Sequence, residues 1–200
     1  MTTPQPSKPP QGWPWPVIIM IYTVECSFAD PISEAEWNDF YSLEKLPALI
    51  SVRGFHTSQR FKALREGCPV YLALHTIDHH DVLLSDEYRR KGGGNFARWQ
   101  QHIIDWHRNL YETSATAPAV RSGEYLLLSA RGPDPLVAMG LSPSILHAVA
   151  LEKFPEWRWM AVLSDPVDID GITLPEGMYL YAPMTAQLRS GSEPAIVSAS

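Results

Sequence analysis

Apolar positions along the chain fall into short runs of two different periods, broken by turns that carry glycine and proline. The run VIIMIYTV over residues 17–24 is the longest strongly apolar stretch, and its β-branched residues predict a strand over 17–25. A turn at 29–33 follows, and Ser33 with Glu36 three residues on reads as a capping box. The helix it opens carries Trp37, Phe40, Tyr41 and Glu44 at helical spacing, and Pro47 is expected to end it. From Gly54 the period changes to two. Strands over 55–64 and 70–77, joined by the turn Glu66-Gly67-Cys68-Pro69, predict an antiparallel hairpin. A second helix starts at Ser85 with Tyr88 in its first turn and breaks at the three glycines 92–94. It is expected to resume through Trp99, His102, Ile103, Trp106 and Leu110.

The remainder repeats this order more loosely. Residues 124–130 read as a strand and 135–154 as a helix interrupted at Gly140 and Pro143. A strand over 157–163, a turn at 175–177 and a strand over 178–184 follow, with Pro183 favouring an edge position for the last. Strand, helix, strand, strand, helix, then strand, helix, strand, strand is an α+β order rather than alternating βαβ. It predicts a ferredoxin-like antiparallel sheet with helices on one face, as two related halves over 17–115 and 116–189. A proline-rich arm (1–16) precedes them, and Trp13 and Trp15 are expected to dock its end on the body. A small, polar, disordered tail (190–200) follows.

Composition narrows the function classes without choosing one. An apolar fraction of 45% and a charged fraction of 19% are those of a soluble globular protein. A net charge of −6, with no basic run, argues against a nucleic-acid partner. The longest apolar run is far short of the ~20 residues a bilayer span needs, and the arm lacks the basic start and cleavage site of a signal peptide. No membrane association is expected. Two cysteines without CxxC spacing suit a reducing cytoplasm and argue against a disulfide framework or thiolate metal site. The seven tryptophans are compatible with a planar, aromatic ligand.

Candidate chemistry concentrates between residues 37 and 78. On a helix, Glu44 shares a face with Tyr41 and Trp37; a carboxylate drawn under rings has its charged form disfavoured, which suits proton transfer. The plainer alternative is a solvent-facing glutamate paired with Lys45 or Arg53. His75 sits in the apolar strand VYLALHTI with Tyr71 and Ala73 on its face, where a neutral imidazole can act as a base or simply be a hydrogen-bonded core histidine. Alternation puts His56, Ser58 and Arg60 on one face of the neighbouring strand. There the guanidinium can bind an enolate-like oxygen or pair with Glu44. On the expected second helix His102 and Trp106 are i,i+4 neighbours and form the far wall of a helix–sheet cavity, with His102 a second candidate base, although such stripes are more often core. His75, His79, His80 and Asp81 spell H-x3-HH-D, but a strand running into a loop does not converge these rings, so no metal is expected. The glycines at 92–94 read as a loose loop or as the hinge of a lid.

The order Trp37, Phe40-Tyr41, Glu44-Lys45-Leu46-Pro47, Gly54-Phe55 and Arg60-Phe61, with Ser85-x-x-Tyr88 later, resembles the EthD-like branch of the dimeric α+β barrel superfamily over roughly residues 17–112. Lys45 stands where relatives carry histidine. The resemblance implies two ferredoxin-like units pairing their sheets into a barrel with helices outside, the second half supplying the partner unit, as a monomer of fused halves or a homodimer. The expected function is a small cofactor-independent enzyme of isomerase, cyclase or lyase type, acting by acid/base chemistry on a hydrophobic aromatic or cyclic carbonyl compound. His75 would be the base, Glu44 the acid and Arg60 the anion stabiliser, with Trp37, Tyr41, Tyr71, His102 and Trp106 lining the pocket. The alternatives are a non-catalytic binding protein for an aromatic compound and a haem- or oxygen-dependent monooxygenase with His75 or His102 on the iron.

Overall fold

In the computed structural model, which describes residues 18–164, 171 and 173–191, the first apolar run forms β1 (Ile19–Phe28). The proline-rich arm with its two tryptophans, and all but the start of the tail, lie outside the described residues. A single helical rod then covers 34–50 in three parts: α1 (Glu34–Asp39), a π-helical segment (Phe40–Lys45) and α2 (Leu46–Ile50). Its start differs from expectation. Ser33 makes no side-chain cap and instead donates its hydroxyl to Asp30 at 2.5 Å, so the capping box with Glu36 does not form. Its end differs too, because Pro47 does not stop it. In the π-turn the Leu46 N–H bonds to the Tyr41 carbonyl five residues back, and Pro47 follows in the first turn of α2, where its missing N–H costs little.

β2 (Phe55–Ala63) and β3 (Tyr71–Ile77) make the expected antiparallel hairpin. After a 3-10 turn at His80–Leu84, α3 (Asp86–Arg90) starts at Ser85, whose hydroxyl accepts the Tyr88 N–H at 3.1 Å. The helix does not resume beyond the glycines. A 3-10 turn (Ala97–His102) leads into β4 (Ile103–Thr113), an eleven-residue strand. The helical spacing of Trp99, His102, Trp106 and Leu110 is coincidental. Alternation is the operative period: Leu110 packs under the helices, and Tyr111 faces the other way, into the barrel.

The second half shows the same misreading. β5 (Tyr125–Ser129) is followed by only a short α4 (Asp134–Ala138), and the rest of the expected helix is β6 (Ser144–Leu151). Gly140, at φ +76°, separates the two. β7 (Trp157–Leu163) and β8 (Met178–Pro183) fall where expected, and β9 (Leu188–Arg189) adds to β2. β8 is not an edge: it pairs with both β5 and β2, and Pro183 is tolerated because it is the last residue of the strand.

Every pairing is antiparallel, and eight strands close in the order β1-β4-β6-β7-β5-β8-β2-β3. Each half contributes four neighbours with the same internal order, β2-β3-β1-β4 and β6-β7-β5-β8. The halves join where β4 meets β6 and where β8 meets β2. Three apolar layers result. Ile21, Phe61, Leu72, Leu126, Leu146 and Met160 fill the barrel. Outside it, the first sheet is covered by the helical rod and α3, and the second by α4 with Leu174. Inside the barrel a Glu25–Arg158 ion pair, 2% and 6% exposed, bridges β1 and β7 with both guanidinium nitrogens, at 2.9 and 3.1 Å. None of the described helices is long and apolar enough to cross a membrane.

Candidate active site

The helical rod lies over the first sheet and encloses polar groups within an aromatic layer. Trp37 and Tyr41 are fully buried at i and i+4. An α-helix advances about 100° per residue and would bring Glu44 onto that stripe next. The wider π-turn postpones the stripe, so Lys45 and Leu46 turn inward and Glu44 faces solvent. The expected carboxylate is therefore absent from the cavity, and its chain neighbour, an amine, takes the place. Lys45 is 7% exposed and donates to the carbonyls of Gly92 and Asn95 in the glycine loop. Its Nζ lies 4.9 Å from the Phe96 ring centre and 5.7 Å from that of Tyr41. Burial depresses its pKa to about 8, well below an ordinary lysine.

Around this amine is a narrow cavity walled by Val24, Leu49, Phe96 and Trp106 and edged by the polar groups of Tyr22, Tyr88 and Arg108. It is almost filled, with ≈10 Å³ for the centre of a water-sized sphere. The Tyr22 and Tyr88 hydroxyls hydrogen-bond at 3.0 Å, and Arg108 and the Gly94 backbone act on the Tyr88 oxygen. Burial raises the pKa of both phenols. Arg108 stacks 4.8 Å over the Trp106 ring. Among the described residues no acidic side chain lines the cavity, and neither Lys45 nor Arg108 takes part in an ion pair.

His75 is fully buried behind Tyr22, stacked on that ring at 5.4 Å and edge-on to Phe55 at 5.4 Å. Its Nδ1 pairs with Ser58 Oγ at 2.8 Å, while Nε2 has no hydrogen-bond partner. Burial, and secondarily the charge of Lys45, lowers its pKa to about 3, so the ring is neutral and only weakly basic. Arg60 also lies under the rod, but it is spoken for. Its Nη1 donates to Asn38 O and Ser42 Oγ and its Nη2 to Asn38 Oδ1, with Tyr41, Trp37 and Tyr71 against the guanidinium. Tyr71 continues the chain outward, donating to Glu34 at 2.7 Å. The expected Arg60–Glu44 pairing is not made.

The structure thus gathers Trp37, Tyr41, Tyr71, Arg60 and His75 beneath one rod, with Trp106 at the cavity wall, and leaves out Glu44 and His102. His102 ends the 3-10 turn, partly exposed against Phe28 at 5.5 Å, because the helix that would have aligned it with Trp106 does not exist. His79 and Asp81 sit 3.8 Å apart on the surface, away from buried His75, and among the described residues no group of three or more potential ligands converges on a metal. Sequence reasoning missed Lys45, Tyr22 and Arg108. The mismatch of Lys45 with the family pattern was the available signal for the first. Nothing local marks Tyr22 or Arg108, because each belongs to a strand whose facing depends on barrel closure.

No protein-family model matches the chain, and no curated protein matches it by sequence. Among solved structures, an anthrone oxidase-like protein aligns over 90% of this chain and 97% of its own, with a TM-score of 0.55 at 8% identity. The two share an α+β fold with a closed antiparallel barrel. Two putative monooxygenases superpose more loosely, each with a TM-score of 0.48. The one from Lactobacillus acidophilus is 9% identical over 84% of this chain and 95% of its own. The one from Fusobacterium nucleatum is 10% identical over 78% of each. This barrel is built within one polypeptide, its two halves repeating one strand order.

Proposed function

We propose that the cavity between the helical rod and the first sheet is the active site of a small enzyme that moves a proton on an apolar aromatic or cyclic carbonyl compound. One observation carries this reading: a buried amine, with no carboxylate partner among the described residues, faces an aromatic cavity that it shares with a hydrogen-bonded phenol pair. With a pKa of about 8, Lys45 has a sizeable neutral fraction at cellular pH and can accept a proton from the carbon beside a carbonyl. The charge that then develops on the carbonyl oxygen is met by hydrogen bonds from Tyr88 and Arg108, in surroundings that exclude water. His75, neutral and stacked on Tyr22, holds that phenol in place. The base role moves from His75 to Lys45, and the anion-stabilising role from Arg60 to Arg108. Where the EthD-like pattern carries histidine, this chain keeps a group able to exchange protons.

The test is deuterium incorporation. The protein, incubated in D2O with 1-tetralone, 2-phenylcyclohexanone or cyclohexanone, should label the carbon beside the carbonyl, read by mass spectrometry. Lys45→Met should slow this by about 100-fold or more. Exchange untouched by that substitution would sink the assignment, and a compound bound but returned unlabelled would indicate a binding protein. A second reading, oxidation by molecular oxygen, is kept because the structure of the same fold is named anthrone oxidase-like. Oxygen uptake during the same incubation would favour it.

A further inference from the structure

Among the described residues two cationic side chains and no acidic one border the cavity, and this asymmetry says more about the ligand than the aromatic walls do. Lys45 and Arg108 approach from opposite layers, the helical rod and β4. Lys45 is buried and Arg108 half-buried, so an anion placed between them would meet two positive groups whose attraction water screens only in part. Arg108 offers a planar fork suited to a carboxylate. Lys45 offers a nitrogen whose hydrogen bonds run to the backbone carbonyls of Gly92 and Asn95, leaving it without any anionic contact.

We propose that Lys45 is a nucleophile that forms an imine with an oxo-carboxylate bearing an apolar body, while Arg108 holds the carboxylate. The proposal rests on the same cavity being the active site, and it names the substrate class. In the step, the neutral Nζ lone pair attacks the carbonyl carbon. The C=O π pair moves to oxygen, which takes a proton from the Tyr88 hydroxyl, giving a carbinolamine. Nitrogen gives up a proton that restores Tyr88. The carbon–oxygen bond then breaks, the hydroxyl leaves with a solvent proton as water, and the nitrogen pair completes C=N. One water is released and no electrons are exchanged, so no oxidant or reductant is needed. Desolvation in an apolar pocket is an established way to activate a lysine for this chemistry.

Admission of the ligand requires the 92–95 loop to move, since the cavity holds no more than about a water. The loop depends on its glycines: Gly92 and Gly94 have φ of +82° and +76°, and Gly93 packs so close to Tyr88 that a Cβ on it would lie 2.4 Å from the ring. Its ties to Lys45 are hydrogen bonds to Nζ that the amine surrenders when its nitrogen becomes part of C=N.

Trapping decides the matter. The full chain is incubated with phenylpyruvate at pH 8, reduced with sodium borohydride and digested, and each lysine peptide is weighed. The expected result is one reduced ligand on Lys45, at ~10-fold or more the level on Lys62, Lys91 or Lys153, because only Lys45 lies in the apolar cavity that activates an amine for this attack. 4-Phenyl-2-butanone, which lacks the carboxylate, should label less, and Arg108→Gln should remove that preference. Lys45→Arg, folded by circular dichroism, should abolish the label; should it not fold, Lys45→Met serves the same purpose. Label spread evenly over the lysines, or absent from Lys45, overturns the imine. If deuterium exchange persists without label, Lys45 is a proton base and only the imine falls; loss of both brings down the active-site reading as well.

Discussion

Glu44 and Lys45 are adjacent in the chain, yet one meets solvent and the other a nearly dry aromatic layer. Which is which depends on a single wide turn, so a reading based on 3.6-residue periodicity put the wrong one inside. His75 shows the opposite case. A lone histidine in an uninterrupted apolar strand had to be buried, and only its partner, Ser58 on the neighbouring strand, was hidden until the register was known. Its burial has a pH consequence. With the folded pKa at about 3 and the ordinary value at 6.5, the unfolded chain holds a proton that the folded protein refuses anywhere between. Stability supplied by this residue is therefore full above pH 6.5 and is lost as the pH falls toward 3. Between pH 7 and 4.5 the loss should be about 2–3 kcal/mol. His75→Phe should flatten that part of the profile, whatever it does to stability at pH 7. Urea titrations of both proteins at the two pH values measure the difference, and equal slopes would show that the imidazole is protonated without penalty.

Among the elements, the hairpin and the strands β5, β7 and β8 could be read as short apolar runs bounded by turn residues, and in the structure β3 is buried at every position. β4 and β6 could not. Both carry helical spacing, and they form one of the two seams between the halves. Apolar residues also lie on their partly exposed faces, Ile104 on β4 and Ile145 on β6, so neither shows a clean period of two. The helical rod failed differently, through an insertion that propensity does not report. A π-turn is one residue more than an α-helix needs. Removing Leu43, which is 72% exposed, would place Lys45, Leu46 and Leu49 at seven, eight and eleven residues from Trp37. Those are core positions of a straight helix. This deletion should thus leave the fold intact and the melting temperature equal to or above the parent's, whereas a deletion inside β3 would invert every later side chain of that strand. A fall in melting temperature on deleting Leu43 would show that the wide turn is itself needed for packing.

At the scale of the molecule, two related α+β halves were legible because the order of elements repeats, while their pairing into one barrel was an expectation of the family resemblance alone. The strands that close it and the ion pair inside it were not. Glu25 lies in a stretch that reads as apolar and Arg158 in a tryptophan-flanked strand, 133 residues apart. The pair ties the first half to the second across the barrel interior. Glu25→Gln should cost about 3–5 kcal/mol, because it strands a buried guanidinium, while Glu25→Leu combined with Arg158→Met should recover most of that loss. Calorimetry on the three proteins tests it, and a double variant as unstable as the single one would assign the pair more than mutual neutralisation.

The seam between the halves has one more consequence. Where a barrel of this kind is assembled from two chains, its existence is a matter of mass action, and dilution dissolves the site along with the assembly. Here the partner sheet arrives on the same polypeptide, so closure is a first-order event that proceeds at any dilution, and the helix-covered cavity forms within a single chain.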